Sequence, residues 1–133
     1  MEKRILLVED DASFREIFTH ALGKALATEG LDVAFVEADS LAEARVRLRE
    51  DSLDAALIDV GMPDGNGLDL VGEINDGGVG PRIPSLVLTA GLDTSVAGRA
   101  IEAGAMGALS KLASMPDTVD AIKRLAKFER SEA

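Results

Sequence analysis

The chain has 133 residues, 47% of them hydrophobic, with four Phe, no Trp, Tyr or Cys, and a formal net charge of -10 at pH 7. That length suits one domain, residues 1–133, with room for a real core. The lack of cysteine, of a long apolar run and of a cleavable leader argues against secretion or membrane insertion, so the cytoplasm is the expected address. The negative charge would repel a nucleic-acid backbone, which counts against direct DNA or RNA binding, and it favours cations and basic partners.

Met1 to Arg4 is weakly basic, but the apolar run behind it, Ile5 to Val8, is too short for a signal core and is followed at once by acids. It reads as a first strand. Phe14, Ile17, Phe18, Ala21, Leu22, Ala25 and Leu26 then follow the i, i+3, i+4, i+7 spacing of a helix burying one face, which Gly30 stops. A second strand runs over Val33 to Val36. Ser40 and Glu43 form a capping box for a helix with apolar residues at Leu41, Ala44 and Leu48. Ala55 to Ile58 is a third strand, and Leu68, Val71 and Ile74 mark a shorter helix. The Gly-rich stretch Asp76 to Gly80 reads as a surface loop.

Ser85 to Leu88 is a fourth strand, followed by a helix with Val96, Ala97, Ala100 and Ile101 before Gly104. Gly107 to Leu109 is the fifth strand. The last helix carries Val119, Ile122, Leu125 and Ala126, with Pro116 suited to its first turn. Phe14, Phe18, Phe35 and Phe128 fall on apolar positions and read as core. Strands apolar on both faces and joined by helices imply a parallel sheet covered on both sides, a doubly wound five-stranded α/β domain.

In such a fold the functional crevice lies beyond the carboxyl ends of the strands. Glu9, Asp10 and Asp11 follow the first strand, Asp59 ends the third, Thr89 ends the fourth and Lys111 closes the fifth. If the first and third strands are neighbours, Asp10 and Asp59 bring like charges within a few ångströms, and a cation belongs between them. Oxygen-only ligands suit a hard ion, Mg²⁺ before Ca²⁺. A carboxylate beside such an ion and a lysine is also a competent phosphoryl acceptor, because both cations offset charge on the transferring oxygens.

Several residues have plainer explanations. Asp11 just before Ala12 suits a helix N-cap, and Asp64 after Pro63 suits a turn. Gly65 and Gly67 serve backbone geometry rather than a phosphate cradle. His20, inside the first helix, is expected to be structural or on the surface.

Leu6-Leu-Val-Glu-Asp-Asp11, Ile58-Asp-Val-Gly-Met-Pro-Asp-Gly-Asn-Gly67, Leu88-Thr-Ala90 and the Lys111 that follows Gly104-Ala-Met-Gly107 resemble the receiver (CheY-like) family of two-component response regulators over nearly the whole chain. The resemblance implies a flavodoxin-like (βα)5 fold with strand order 2-1-3-4-5. It makes Asp59 the phosphoacceptor, places Glu9, Asp10, Asp59 and the Gly61 carbonyl around Mg²⁺ or Mn²⁺, and gives Thr89 and Lys111 the phosphoryl group to bind. The implied donor is a phosphohistidine on a sensor histidine kinase or phosphotransfer protein, with small phosphodonors as substitutes. Output would pass through the face of the fourth helix, fifth strand and fifth helix to a downstream effector or a fused output domain. Such a chain is a phosphoacceptor with self-catalysed transfer and dephosphorylation, not an enzyme in its own right.

Two positions depart from the family pattern. Ala108 stands where many receivers carry an aromatic, three places before the site lysine, so coupling from Thr89 to the output face must use smaller packing changes or be weak. Leu112 stands where a proline commonly follows the lysine, which predicts a more mobile loop. That second departure resembles receivers attached to LuxR/NarL-type helix-turn-helix domains. The chain's end fits both a stand-alone regulator and part of a longer one. Arg99, Asp117, Lys123 and Lys127 could line a homodimer face, although a solvated surface explains them as well.

Rival readings fare worse. A haloacid-dehalogenase-type phosphatase expects a second acid two residues after its nucleophile, where this chain has Gly61. A flavodoxin-like electron carrier needs a hydroxyl-rich phosphate loop where Glu9-Asp10-Asp11 stands. A receiver-like interaction module with a vestigial pocket is the alternative that Ala108 and Leu112 support.

Overall fold

Five strands form one parallel sheet: β1 (Lys3–Val8), β2 (Val33–Ala38), β3 (Ala55–Asp59), β6 (Ser85–Thr89) and β7 (Ala108–Ser110). Their spatial order, β2-β1-β3-β6-β7, is the expected one. This computed structural model describes residues 2–91 and 94–127; Phe128, expected in the core, lies outside them.

The crossovers are α1 (Ala12–Thr28), α2 (Leu41–Glu50), α3 (Gly67–Asp76), α4 (Thr94–Ala103) and α5 (Met115–Lys127). Strand side chains alternate between two covered faces. Leu6, Val8, Ala56, Ile58 and Val87 pack with residues of α2, α3 and α4. Ile5, Leu7, Ala55, Leu57, Leu86 and Leu88 pack with residues of α1 and α5. β1, β3 and β6 are central, which explains their unbroken apolar runs, whereas β2 on the edge is only half-buried over most of its length.

Two residues expected on buried helix faces are exposed: Ile17 at 70% and Ile101 at 59%. At about 100° per residue, Ile17 lies roughly 140° around α1 from Leu22, and Ile101 roughly 140° around α4 from Val96, so neither can share the face that meets the sheet. The loop after α3 is likewise more than surface. Gly77 ends the helix in a left-handed conformation, and Val79 returns to the core at 3% exposure.

The capping box at α2 forms with one change: the Ser40 hydroxyl accepts from the Glu43 amide at 3.0 Å, while the Glu43 carboxylate accepts from the Asp39 amide at 3.1 Å, one residue before the cap. Between β3 and α3 the chain forms a small antiparallel hairpin, β4 (Gly61–Met62) with β5 (Gly65–Asn66), which the sequence reading did not include.

Candidate functional site

Sheet register brings the site together. Val8 pairs with Ile58, so Glu9 and Asp59 leave adjacent strands at the same level. On the other side Asp59 pairs with Leu88, and Thr89 pairs with Ser110, so Thr89 and Lys111 emerge one step beyond. The Lys111 amide donates to the Thr89 carbonyl at 2.9 Å, which fixes where that lysine starts.

Glu9 is fully buried at 0% exposure, Asp59 and Thr89 are buried, and Asp10 is exposed. One carboxylate oxygen from each of Glu9, Asp10 and Asp59 lies within 4.8 Å of the others. Lys111 Nζ donates to Asp59 Oδ2 at 2.8 Å and to Glu9 Oε1. Burial would push the Lys111 ammonium's pKa down, but its hydrogen bonds to Asp59 and Glu9 and their charges outweigh that, and the pKa is raised. One ammonium therefore faces three carboxylates, a charge surplus that an added hard cation would offset. The remaining Asp59 oxygen, Oδ1, accepts from the Gly61 amide at 3.2 Å. The Gly61 N–H thus helps to hold the Asp59 carboxylate in place. The Thr89 hydroxyl donates to the Gly91 carbonyl at 3.2 Å and does not bond Asp59.

Asp11 caps α1, its side chain accepting from the Phe14 amide. His20 is exposed on α1. Gly67 lets α3 start against the end of β3: a Cβ there would lie 2.1 Å from the Asp59 carbonyl oxygen. Gly65 has φ +151 in the hairpin. Asp64 does more than close a turn. Its carboxylate accepts from the Leu41 and Ala42 amides at 2.9 and 3.0 Å, capping α2 from a distant loop, and these bonds hold its pKa below the usual range.

Two neighbours of the site were not singled out for it by the sequence. The Arg15 guanidinium donates to the Glu9 carbonyl at 2.6 Å and to the Glu37 carboxylate at 3.0 Å, tying the acidic loop to the end of β2. The available signal was a cation near the N-terminal end of a helix, where the dipole disfavours it unless acids surround it. Phe14 read as core, yet its ring centroid lies 4.9 Å from Lys111 Nζ. No helix among the described residues is long and apolar enough to cross a membrane.

Comparison with known proteins points to one family and one fold. The family described as "Response regulator receiver domain" matches residues 5–123. The transcriptional regulatory protein KdpE of Staphylococcus aureus is 31% identical over 131 residues, 98% of this chain and 51% of KdpE. The chain spans about half the length, or less, of the first curated relatives it matches. A two-component response regulator of the LuxR family from Aurantimonas superposes with a TM-score of 0.79 at 27% identity, covering 95% of this chain and 86% of that one. A response regulator from Burkholderia pseudomallei, solved with a phosphorylated aspartic acid, a calcium ion and citrate, superposes with a TM-score of 0.70 at 25% identity, covering 94% of this chain and 66% of that one.

Proposed function

The chain belongs to the family of response regulator receiver domains, and from that membership we propose that it accepts a phosphoryl group on Asp59 in a reaction that depends on a divalent cation. The observation that carries the proposal is the joining of Asp59 to Lys111 at 2.8 Å within a group of three carboxylates that share one small space. A solved relative that holds a phosphorylated aspartic acid and a calcium ion supports it.

The Asp59 carboxylate is the nucleophile. One of its oxygens forms a bond to phosphorus as the bond from phosphorus to the donor's nitrogen or oxygen breaks, and the donor leaves with that electron pair. Lys111 is already hydrogen-bonded to Asp59 and can pass its N–H groups to the incoming phosphoryl oxygens, where charge gathers in the transition state. Thr89 would supply a neutral donor by turning its hydroxyl away from Gly91. Glu9, Asp10, Asp59 and the Gly61 carbonyl are the groups that would hold Mg²⁺ or Mn²⁺, and the oxygen-only set with three acids fits a hard cation. The bound ion would neutralise charge between donor and acceptor.

On this reading the donor is a sensor histidine kinase or phosphotransfer protein in the cytoplasm, and the output face is built from α4, β7 and α5, serving an effector or an attached output domain. Incubation with Mg²⁺ and acetyl phosphate, followed by intact-mass measurement, tests the acceptor. One phosphoryl adduct is expected, lost in Asp59→Asn and absent without Mg²⁺. Undiminished labelling of Asp59→Asn would sink the assignment. No adduct from acetyl phosphate or a cognate kinase would return the chain to an interaction module.

A further inference from the structure

We propose that Phe14 is a positioning residue for Lys111, its ring face holding the ammonium over the pocket while the hydrogen bonds of that ammonium change partner. The inference rests on the phosphoacceptor reading and assigns a role to a side chain that the sequence marks only as core.

A lysine ammonium on a four-carbon stem is mobile, and hydrogen bonds alone direct it weakly when two carboxylates compete for it. Lys111 donates to both Glu9 and Asp59. To meet a phosphoryl group it must release Asp59 Oδ2, and with that bond gone only Glu9 would hold it. The third contact does not depend on either acid: Lys111 Nζ sits 4.9 Å from the centroid of the Phe14 ring, within the range where the negative ring face attracts a cation, and more strongly in a partly dry pocket.

The ring is itself fixed. Phe14 stacks on Phe18 with centroids 5.1 Å apart and planes 21° apart, and Phe18 meets Phe35 of β2 edge-on at 6.5 Å. The Phe14 amide donates to the capping carboxylate of Asp11, two residues after Glu9. The aromatic ladder thus runs from the sheet to the ammonium, and its last rung is anchored to the acidic loop. A leucine at this position would keep apolar contact with Phe18 but present no π face.

The test measures acetyl phosphate labelling of the whole chain at saturating Mg²⁺ for wild type, Phe14→Leu, Phe14→Tyr, Lys111→Ala and the Phe14→Leu, Lys111→Ala pair, each checked for folding by far-UV circular dichroism. Phe14→Leu is expected to slow labelling about three- to tenfold, the size of one cation–ring contact expressed as a rate. Phe14→Tyr, which keeps the ring face, should stay within about twofold of wild type. In the Lys111→Ala background Phe14→Leu should have almost no further effect, because a residue that acts through Lys111 has nothing left to position.

A merely structural role would slow both backgrounds equally, and that result would overturn the proposal, as would wild-type labelling by Phe14→Leu. The Lys111 ε-methylene proton shifts, moved by the ring current in wild type, should return toward ordinary lysine values in Phe14→Leu, and unmoved shifts would also overturn it. If wild type is labelled by neither acetyl phosphate nor a cognate kinase, the phosphoacceptor reading fails and this role falls with it. If wild type is labelled and Phe14→Leu is unaffected, this role alone fails.

Discussion

Replacing Lys111 by Met keeps a stem of similar length and removes the ammonium. Glu9 is wholly buried and Asp59 nearly so, and Lys111 is the cation paired with both, so the substitution leaves two carboxylates facing each other without their shared counter-charge. Removing one member of a fully buried ion pair costs about 3–5 kcal/mol. The Lys111 side chain keeps 19% of its surface, so water screens part of its charge and the expected loss is about 2–3 kcal/mol at neutral pH. For a domain of this size that is a fall in Tm of roughly 6–15 °C. Urea and thermal denaturation followed by far-UV circular dichroism measure the free-energy loss and the Tm shift, since the chain has no Trp or Tyr for fluorescence. Mg²⁺ should stabilise the variant more than it stabilises wild type, because no ammonium competes for the carboxylates and a ligand that binds only the folded state adds stability by mass action. A loss below about 1 kcal/mol, or an equal loss when Asp59 is already Asn, would refute the claim that this charge balance is what Lys111 supplies.

Four further outcomes follow from single contacts. Gly67→Ala should lose at least about 2 kcal/mol, because its Cβ has no room against the Asp59 backbone, whereas Gly72→Ala, with nothing within 4 Å, should be neutral or gain up to about 1 kcal/mol by helix propensity; paired urea titrations compare them. The stability that Lys111 contributes in wild type is full below its unfolded pKa near 10.5 and is lost as pH rises through its higher folded value, so the gap between wild type and Lys111→Met should narrow only in strong alkali. The Asp64 cap has the opposite sign: its contribution is present above the unfolded pKa near 3.8 and is lost as pH falls through the lower folded value, so the urea midpoints of wild type and Asp64→Ala should differ at neutral pH and converge in acid. Ile17→Lys should change stability by less than about 0.5 kcal/mol, since the side chain is already in water; a loss above about 1 kcal/mol would return it to the core.

The architecture was legible because each apolar run that makes a strand is short, bounded and followed by helical spacing, and the central position of β1, β3 and β6 leaves no polar face to blur that pattern. Helix starts were legible where one side chain does the work: Asp11 and Ser40 both cap as read. Ile17 and Ile101 were misread because a list of apolar positions on one helix spans a wider arc than the stripe that reaches the sheet. The β4–β5 hairpin escaped notice because two-residue strands carry no periodicity at all.

The site divides along the same line. Glu9, Asp59, Thr89 and Lys111 stand at strand ends, and parallel register is enough to gather strand ends in one place, so their meeting could be anticipated from order along the chain. What each side chain touches could not. Asp64 reaches back 22 and 23 residues to the amides of Ala42 and Leu41, and Arg15 reaches 22 residues forward to Glu37, distances along the chain that leave no local trace. Phe14 illustrates the limit most sharply: helical spacing assigns it to the buried face of α1, and it does pack there, but the same ring ends the Phe14–Phe18–Phe35 ladder beneath an ammonium. A pattern of apolar residues records that a side chain avoids water and says nothing about which polar group its other face meets. The edge of a hydrophobic core is therefore where this receiver holds the charge on which its proposed chemistry depends.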